Sequence, residues 1–195
     1  MLDLTPSQTV GPFLHIELPH EGAGEMAPTG AEGTIRIEGR LLDANGDGID
    51  DGLIELWQAD PSGHYQHPED AGPAVVAGTV AAGGLEGFGG FGRLPTGDGG
   101  TFSFTTLKPG PVPGPGGTSQ APHIVVGVFG RGILNRLATR IYFPDEDAAN
   151  AEDPILALVP AERRSTLIAE AIDGGYRFDI RVGSGDDTET VFFDV

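Results

Sequence analysis

The sequence predicts an all-β protein, an antiparallel β-sandwich with one short helix and long loops. Three observations support this fold class: short segments in which apolar and polar residues alternate, turn-rich connections between them, and little helical periodicity. The 195 residues are expected to contain one folded core, and their 38% hydrophobic content is sufficient to form it.

Seven segments carry a strand pattern. In the first, Ile35, Ile37 and Leu41 alternate with charged residues, which predicts a strand with one exposed face. The continuously apolar run 123–129 instead predicts a strand in the centre of a sheet. The predicted strands are 34–42, 53–58, 101–107, 123–129, 137–143, 176–182 and 188–195.

The clearest helical pattern lies at 160–172. There Pro160 suits a first helical turn, and Gly174 suits the cap at the C-terminal end. A shorter helical turn is expected at 145–151. The scarcity of such patterns is the reason for predicting an all-β fold rather than a mixed one.

The chain contains 32 glycines and 16 prolines, and much of this excess lies in three stretches. The composition of residues 1–33 predicts an extended N-terminal arm, and residues 34–195 are predicted to form the β-sandwich domain. The other two stretches, 71–100 and 109–122, are longer than ordinary hairpin loops. Loops of that length in a compact domain are usually functional or mobile.

Composition excludes several classes of function. A net charge of −18 opposes binding to nucleic acid or to an anionic membrane surface. The absence of cysteine removes disulfides, thiolate catalysis and cysteine-ligated metal centres. The first residues lack the basic start and apolar stretch of a signal peptide, and no run is long enough to span a bilayer. We therefore expect a cytoplasmic protein.

Two short patterns are weak indications of a ligand site. Asp43, Asn45 and Asp47 resemble the start of a calcium loop, but Ile54 stands where the bidentate carboxylate should be. A β-turn is therefore favoured. Arg131, flanked by glycines, could bind an anion or form an ordinary surface ion pair.

Histidines suggest a metal site without establishing one. His64, Tyr65 and His67 follow one predicted strand, and His123 opens another. These side chains could supply nitrogen and oxygen ligands to a metal. They are also consistent with an exposed loop and one hydrogen-bonded histidine at a sheet edge, and spacing alone favours this second interpretation over a metal site.

Several motifs together resemble the intradiol ring-cleavage dioxygenases, and within that family the α chains of its heteromeric members. The resemblance extends from about residue 5 to the C-terminus. The motifs are TPSQTVGPF (5–13), LIELWQADPSGHYQ (53–66), FGR (91–93), LKPGPV (107–112), APHI (121–124), FGRGI (129–133), TRIYF (139–143), YRFDIR (176–181) and ETVFFD (189–194).

The resemblance implies a β-sandwich of the intradiol dioxygenase type and a reaction that depends on non-haem Fe(III). In the family, iron is held by two tyrosines and two histidines of a β subunit, a partner with the same fold. The enzyme inserts both atoms of O2 into protocatechuate, between its two hydroxyl groups. A higher αβ oligomer is also implied, with neither nucleic acid nor membrane as a partner.

The four ligand positions map onto this chain with two losses. Tyr65 and His123 are retained, but Val112 and Val125 stand where the second tyrosine and second histidine are expected. Valine cannot bind a metal, and it removes water from the polar atoms around it. The resemblance therefore implies a vestigial, metal-free site in this chain, with Fe(III) bound by the β partner and no catalytic residue here.

The resemblance implies that the arm at 1–33 packs on the β partner and that this chain contributes to the partner's substrate pocket. The residues that carry over for this role are Thr9, Gly11 and Pro12 of the N-terminal motif, together with Arg131. Two alternatives remain open. One is a non-enzymatic, acidic β-sandwich binding module, and the other is a self-sufficient homodimeric dioxygenase, which Val112 and Val125 argue against.

Overall fold

The computed structural model describes residues 6–11, 13–67, 70, 85 and 87–194. Within these residues the strands are β1 (Thr34–Leu42), β2 (Leu53–Trp57), β3 (Phe91–Pro95), β4 (Thr101–Leu107), β5 (Val112–Pro113), β6 (Ser119–Gln120), β7 (His123–Phe129), β8 (Leu137–Tyr142), β9 (Glu170–Ile172), β10 (Gly175–Arg177) and β11 (Ile180–Arg181). The α-helices are α1 (Leu14–Glu17) and α2 (Asp147–Glu152), and the 3-10 segments are Asp98–Gly100, Pro115–Gly117, Leu156–Leu158 and Ala161–Leu167.

The first sheet is built around β1. Strand β4 pairs with β1 in antiparallel register, from Thr34 opposite Leu107 to Arg40 opposite Thr101. Strands β10 and β11 pair with β1 in parallel, one after the other along its length. Strand β9 then extends the sheet as an antiparallel neighbour of β10.

The second sheet has the strand order β3-β2-β7-β8 and is antiparallel throughout. Strands β5 and β6 form a separate two-stranded hairpin. As the sequence predicted, β7 is central, with neighbours on both edges. The predicted all-β fold of antiparallel sheets is therefore confirmed, and the departure from it is the parallel pairing of β10 and β11 with β1.

The core lies between the two sheets. Alternate residues of β1 and β4, such as Ile37 and Phe104, face alternate residues of the second sheet, such as Leu56 and Val126, and all four are fully buried. Burying one such side chain stabilises the fold by about 1.5–3 kcal/mol. The opposite, outer face of the second sheet carries the site described below.

Several predicted elements differ from the observed ones: the strand predicted at 176–182 is divided into β10 and β11, and the expected loop 109–122 contains β5 and β6. The single helix expected at 160–172 is a 3-10 segment followed by β9, because Asp173–Gly174 forms the two-residue turn of the β9–β10 hairpin. The strand expected at 188–195 has only an isolated bridge at Phe193 among its described residues. Strand β3 lies inside the stretch 71–100 that was expected to be a loop.

The expected arm at 1–33 is partly integrated into the domain. Ala23 and Met26 are buried, the Met26 N–H donates to the Thr105 carbonyl oxygen (2.8 Å), and the Arg93 N–H donates to that of Ala23 (3.0 Å). This segment joins the two sheets along one edge, so it has core contacts of its own. Packing of the preceding residues on a partner stays a prediction.

Candidate functional site

The candidate site lies on the outer face of the second sheet. Cross-strand pairing aligns Phe91, Trp57, Val125 and Arg140 in one row across its four strands. Because side chains alternate along a strand, residues two positions away share the same face. The outer face therefore also carries the neighbouring pair of His123 on β7 and Tyr142 on β8.

Tyr65 reaches this face from the turn that follows β2. The turn is held by the buried carboxylate of Asp60, which accepts hydrogen bonds from the N–H groups of Ser62 (2.8 Å) and His64 (3.0 Å). The Tyr65 ring stacks on Trp57 at 5.8 Å between ring centroids. Tyr65 therefore lies over the row that contains Val125.

Val112 approaches the same region on the β5–β6 hairpin. The loop before it packs on the turn at residues 60–63, where the Gly110 N–H donates to the Asp60 carbonyl oxygen at 2.9 Å. Gly63 has a φ of 83°, and a Cβ there would lie 2.2 Å from the Pro111 carbonyl oxygen, so only glycine fits. Val112 is 5% exposed.

A polar network joins these elements. Arg140 donates from one guanidinium nitrogen to Gln120 Oε1 (2.8 Å) and, at 3.4 Å, to the hydroxyl of Tyr142. The Tyr142 hydroxyl donates to Asp153 Oδ1 (3.0 Å), and the Ala121 N–H donates to Asp153 Oδ2 (2.8 Å). The network ties β6 and β8 to the turn after α2.

Burial controls the protonation of the retained groups. The pKa of His123 is lowered to about 4, mainly by burial and also by the positive charge of Arg140. Burial also raises the pKa values of Tyr65 and Tyr142, although the Arg140 charge opposes that rise. Near neutral pH, His123 is therefore uncharged, and its Nδ1–H donates to the Ala121 carbonyl oxygen at 2.7 Å.

Acid is expected to destabilise the fold through His123. The folded chain protonates His123 only near pH 4, whereas the unfolded chain does so near pH 6.5, so stability falls as the pH drops from 6.5 to 4. The expected loss over that interval is about 3 kcal/mol. Urea unfolding at several pH values should show this loss. The unfolding free energy should depend less steeply on pH in His123→Gln than in the wild type. Identical slopes in both proteins would contradict the expectation, and exposed His20→Gln serves as a control.

The residues present do not fit a ferric ion. Tyr65 and His123 could each donate one ligand atom, but Val112 and Val125 offer none, and Arg140 brings a positive charge to the same place. Across the described residues, no group of three or more histidine, cysteine or acidic side chains could hold a metal. The arrangement therefore lacks the donor set that the resemblance requires of an iron site.

The other sequence-predicted ligand patterns have ordinary partners. The Asp43 carboxylate accepts from the N–H groups of Asn45 (2.8 Å) and Asp47 (2.9 Å), which is a turn of the kind the sequence favoured. His64 lies 3.7 Å from the Asp70 carboxylate. His67 is exposed.

Residues expected to contribute to a partner's pocket lie elsewhere on the molecule. The Thr9 hydroxyl accepts from the Gly132 N–H (2.7 Å) and donates to the Gly130 carbonyl oxygen (3.4 Å), which fastens the N-terminal motif to the turn that bears Arg131. Arg131 forms an ion pair with Asp51, and its side chain remains 64% exposed.

Gly11 and Pro12 are the remaining two residues of this set. Gly11 is exposed and lies three residues before α1, and its carbonyl oxygen accepts from the Leu14 N–H at 3.2 Å. Pro12 lies outside the described residues. The structure therefore brings Thr9 and Arg131 together, while their role toward a partner stays a prediction.

Sequence reasoning missed Arg140 and Asp153. Arg140 is the charged residue of the TRIYF segment in a predicted strand, and Asp153 follows the predicted turn at 145–151. Asp153 is fully buried. An acidic residue directly before a proline and an apolar run was the available signal, but its four hydrogen-bond donors come together only in the folded chain.

Comparison with known proteins gives concordant results. A family model described as "Dioxygenase" matches residues 22–183. The chain is 42% identical to the protocatechuate 3,4-dioxygenase alpha chain of Pseudomonas putida, over all of this chain and 98% of that one. It is 33% identical to the beta chain from Burkholderia cepacia, over 93% of this chain and 77% of that one.

The fold has solved counterparts. An intradiol ring-cleavage dioxygenase from Tetranychus urticae superposes with a TM-score of 0.58 at 19% identity, covering 93% of this chain and 94% of that one. Structural similarity at this level of sequence identity supports the fold only. Among the described residues, no helix has the length and apolar character needed to cross a membrane.

Proposed function

Because this chain belongs to the intradiol ring-cleavage dioxygenase family, as an α chain of the protocatechuate 3,4-dioxygenase type, we propose that it is the non-catalytic subunit of a heteromeric enzyme. Its partner is a β chain of the same fold, and non-haem Fe(III) is bound by that partner. The assembled enzyme cleaves protocatechuate with O2 to 3-carboxy-cis,cis-muconate. This chain completes the substrate pocket of the β subunit within a higher αβ oligomer.

One observation carries the proposal of a non-catalytic role. Tyr65, Val112, His123 and Val125 come together around the outer face of the second sheet, but the two valines provide no metal ligand. This arrangement supports a site that retains the family's ligand positions without its donor set. Identity at 42% to an α chain leaves the alternative of an unrelated acidic binding module without support.

Purification of this chain without its partner tests the non-catalytic role. The isolated chain is expected to contain no stoichiometric iron and to show no ring cleavage, because two of the four ligand positions are valines. Co-expression with the β chain should yield a complex that contains iron and consumes O2 with protocatechuate. Metal analysis, oxygen uptake and absorption of the tyrosinate–iron charge-transfer band provide the measurements. Stoichiometric ferric iron in the isolated chain would refute the proposal.

The contribution to the partner's pocket is assigned to Thr9, Gly11, Pro12 and Arg131. Thr9 fixes the N-terminal motif against the turn that bears Arg131, so the motif and this cation form one surface. The substrate is an anion, and the chain has a net charge of −18. A local positive charge at the pocket would offset the unfavourable long-range field.

In the complex, Arg131→Ala is expected to raise the KM for protocatechuate about fivefold, the size of effect typical of an exposed charge interaction. The KM for catechol, which lacks the carboxylate, should change little. Steady-state kinetics with both substrates make the comparison. Arg131→Lys should retain most of the effect of the charge, and Arg36→Ala controls for loss of an exposed arginine elsewhere. Equal increases for both substrates would remove the charge role.

A further inference from the structure

Arg140 lies among the positions where the family's metal ligands are expected. It is the direct cross-strand partner of Val125, and its guanidinium contacts the hydroxyl of Tyr142, the cross-strand partner of His123. Residues opposed in this way have Cβ atoms about 5 Å apart. Arg140 therefore adjoins both histidine positions of the degenerate site.

The two tyrosine positions adjoin it as well. Gln120, which accepts a hydrogen bond from Arg140 at 2.8 Å, is the cross-strand partner of Val112. Tyr65 stacks on Trp57, the cross-strand partner of Val125 on its other edge. Val125, His123 and Val112 are thus one or two contacts away from Arg140, and Tyr65 is three contacts away.

We propose that Arg140 is a built-in cation that adjoins the degenerate iron site and excludes metal ions from it. This inference rests on the proposed non-catalytic role of the chain. The loss of two ligands explains weak binding of a metal. A fixed positive charge weakens metal binding further, because it repels any cation that approaches Tyr65 and His123.

The properties of arginine suit this task. The guanidinium stays charged at all relevant pH values, and its planar fork can bond neutral oxygens such as those of Gln120 and Tyr142. Arg140 is half-buried, so its repulsion of another cation is stronger than it would be in water. Its charge also acts on Tyr65, His123 and Tyr142 together.

A purely structural role for Arg140 is the competing explanation. Its bond to Gln120 joins β8 to β6, and its guanidinium carbon lies 6.0 Å from the centre of the Phe193 ring. A structural residue would affect stability without affecting metal binding. The two explanations therefore differ in a metal-binding measurement that needs no catalytic activity.

Restoring the missing ligands provides the first experiment. In the complex with the β chain, the variant Val112→Tyr/Val125→His is expected to have the same iron content per αβ pair as the wild type. Addition of Arg140→Gln should raise that content by one iron and add tyrosinate charge-transfer absorption. Iron gained by the double variant would overturn the proposal, as would a folded triple variant that gains none. The wild-type iron content separately reports on the proposed function.

A second experiment avoids substitution of the valines. Wild type, Arg140→Gln and Arg140→Lys are titrated with Co²⁺ by calorimetry, after circular dichroism has verified their folding. Arg140→Gln is expected to bind Co²⁺ at least about tenfold more tightly than the other two proteins, because it alone lacks the cation beside Tyr65 and His123. Equal affinities in the three proteins would overturn the proposal. Tighter binding by Arg140→Lys as well as by Arg140→Gln would also overturn it, since charge would then not be the cause.

Discussion

Replacing Asp153 with alanine is expected to lower the free energy of unfolding by at least about 4 kcal/mol, because four donors lose an acceptor at about 1 kcal/mol or more each. The Asp153 carboxylate is fully buried. It accepts from the hydroxyl of Tyr142 (3.0 Å) and from the N–H groups of Ala121 (2.8 Å), Ile155 (2.9 Å) and Leu156 (2.7 Å). Most small domains are stable by only about 5–15 kcal/mol.

Urea unfolding followed by the fluorescence of Trp57, the single tryptophan, measures this loss. Asp187→Ala removes an acidic side chain from an exposed position and is the matched control, with an expected change within about 0.5 kcal/mol. Asp153→Asn keeps one acceptor oxygen, so its loss of stability should lie between those of Asp153→Ala and Asp187→Ala. A loss below about 1 kcal/mol for Asp153→Ala would show that the network is not a source of stability.

The sequence predicted those strands whose pattern is local. The segments 34–42, 101–107 and 123–129 coincide with β1, β4 and β7 because alternation or continuous burial is visible in neighbouring residues. Strand β3 has no such pattern. The close contact at its Gly92 comes from a distant part of the chain, since a Cβ there would lie 2.8 Å from the side chain of Met26.

The helix predicted at 160–172 failed for a related reason. Its apolar residues were compatible with one helical face, but the Asp-Gly pair at 173–174 favours a hairpin of β9 with β10. Strand β10 in turn pairs with β1, which is more than a hundred residues away in sequence. A local pattern cannot contain that information, because it depends on tertiary contacts.

Sequence patterns likewise identified only some of the residues of the candidate site. Tyr65 and His123 were found because they belong to recognisable motifs. Arg140 was not, since a charged residue in an alternating strand normally marks the solvent face. Only the pairing of β7 with β8 places Arg140 opposite Val125, and only the fold brings Gln120 within 2.8 Å of it.

Gly39→Val is expected to destabilise the protein by about 4 kcal/mol or more, since overpacking at a rigid backbone contact is among the most damaging substitutions. Gly39 lies in the middle of β1. A Cβ at this position would lie 1.9 Å from the Phe178 carbonyl oxygen and 2.8 Å from the ring of Phe102. Phe178 connects β10 to β11, so relief of the clash would require β1 to separate from both.

The matched control is Gly89→Val, because a Cβ at Gly89 meets no atom within 4 Å. Its φ is also outside the left-handed region, so a side chain there is not strained by the backbone. Comparing the two variants by urea unfolding separates the contact at Gly39 from the general effect of replacing glycine. Similar small losses in both would mean that the connection between β10 and β11 can shift without cost. A large loss confined to Gly39→Val is expected, because the Phe178 N–H donates to the Glu38 carbonyl oxygen at 2.8 Å and anchors that connection to β1.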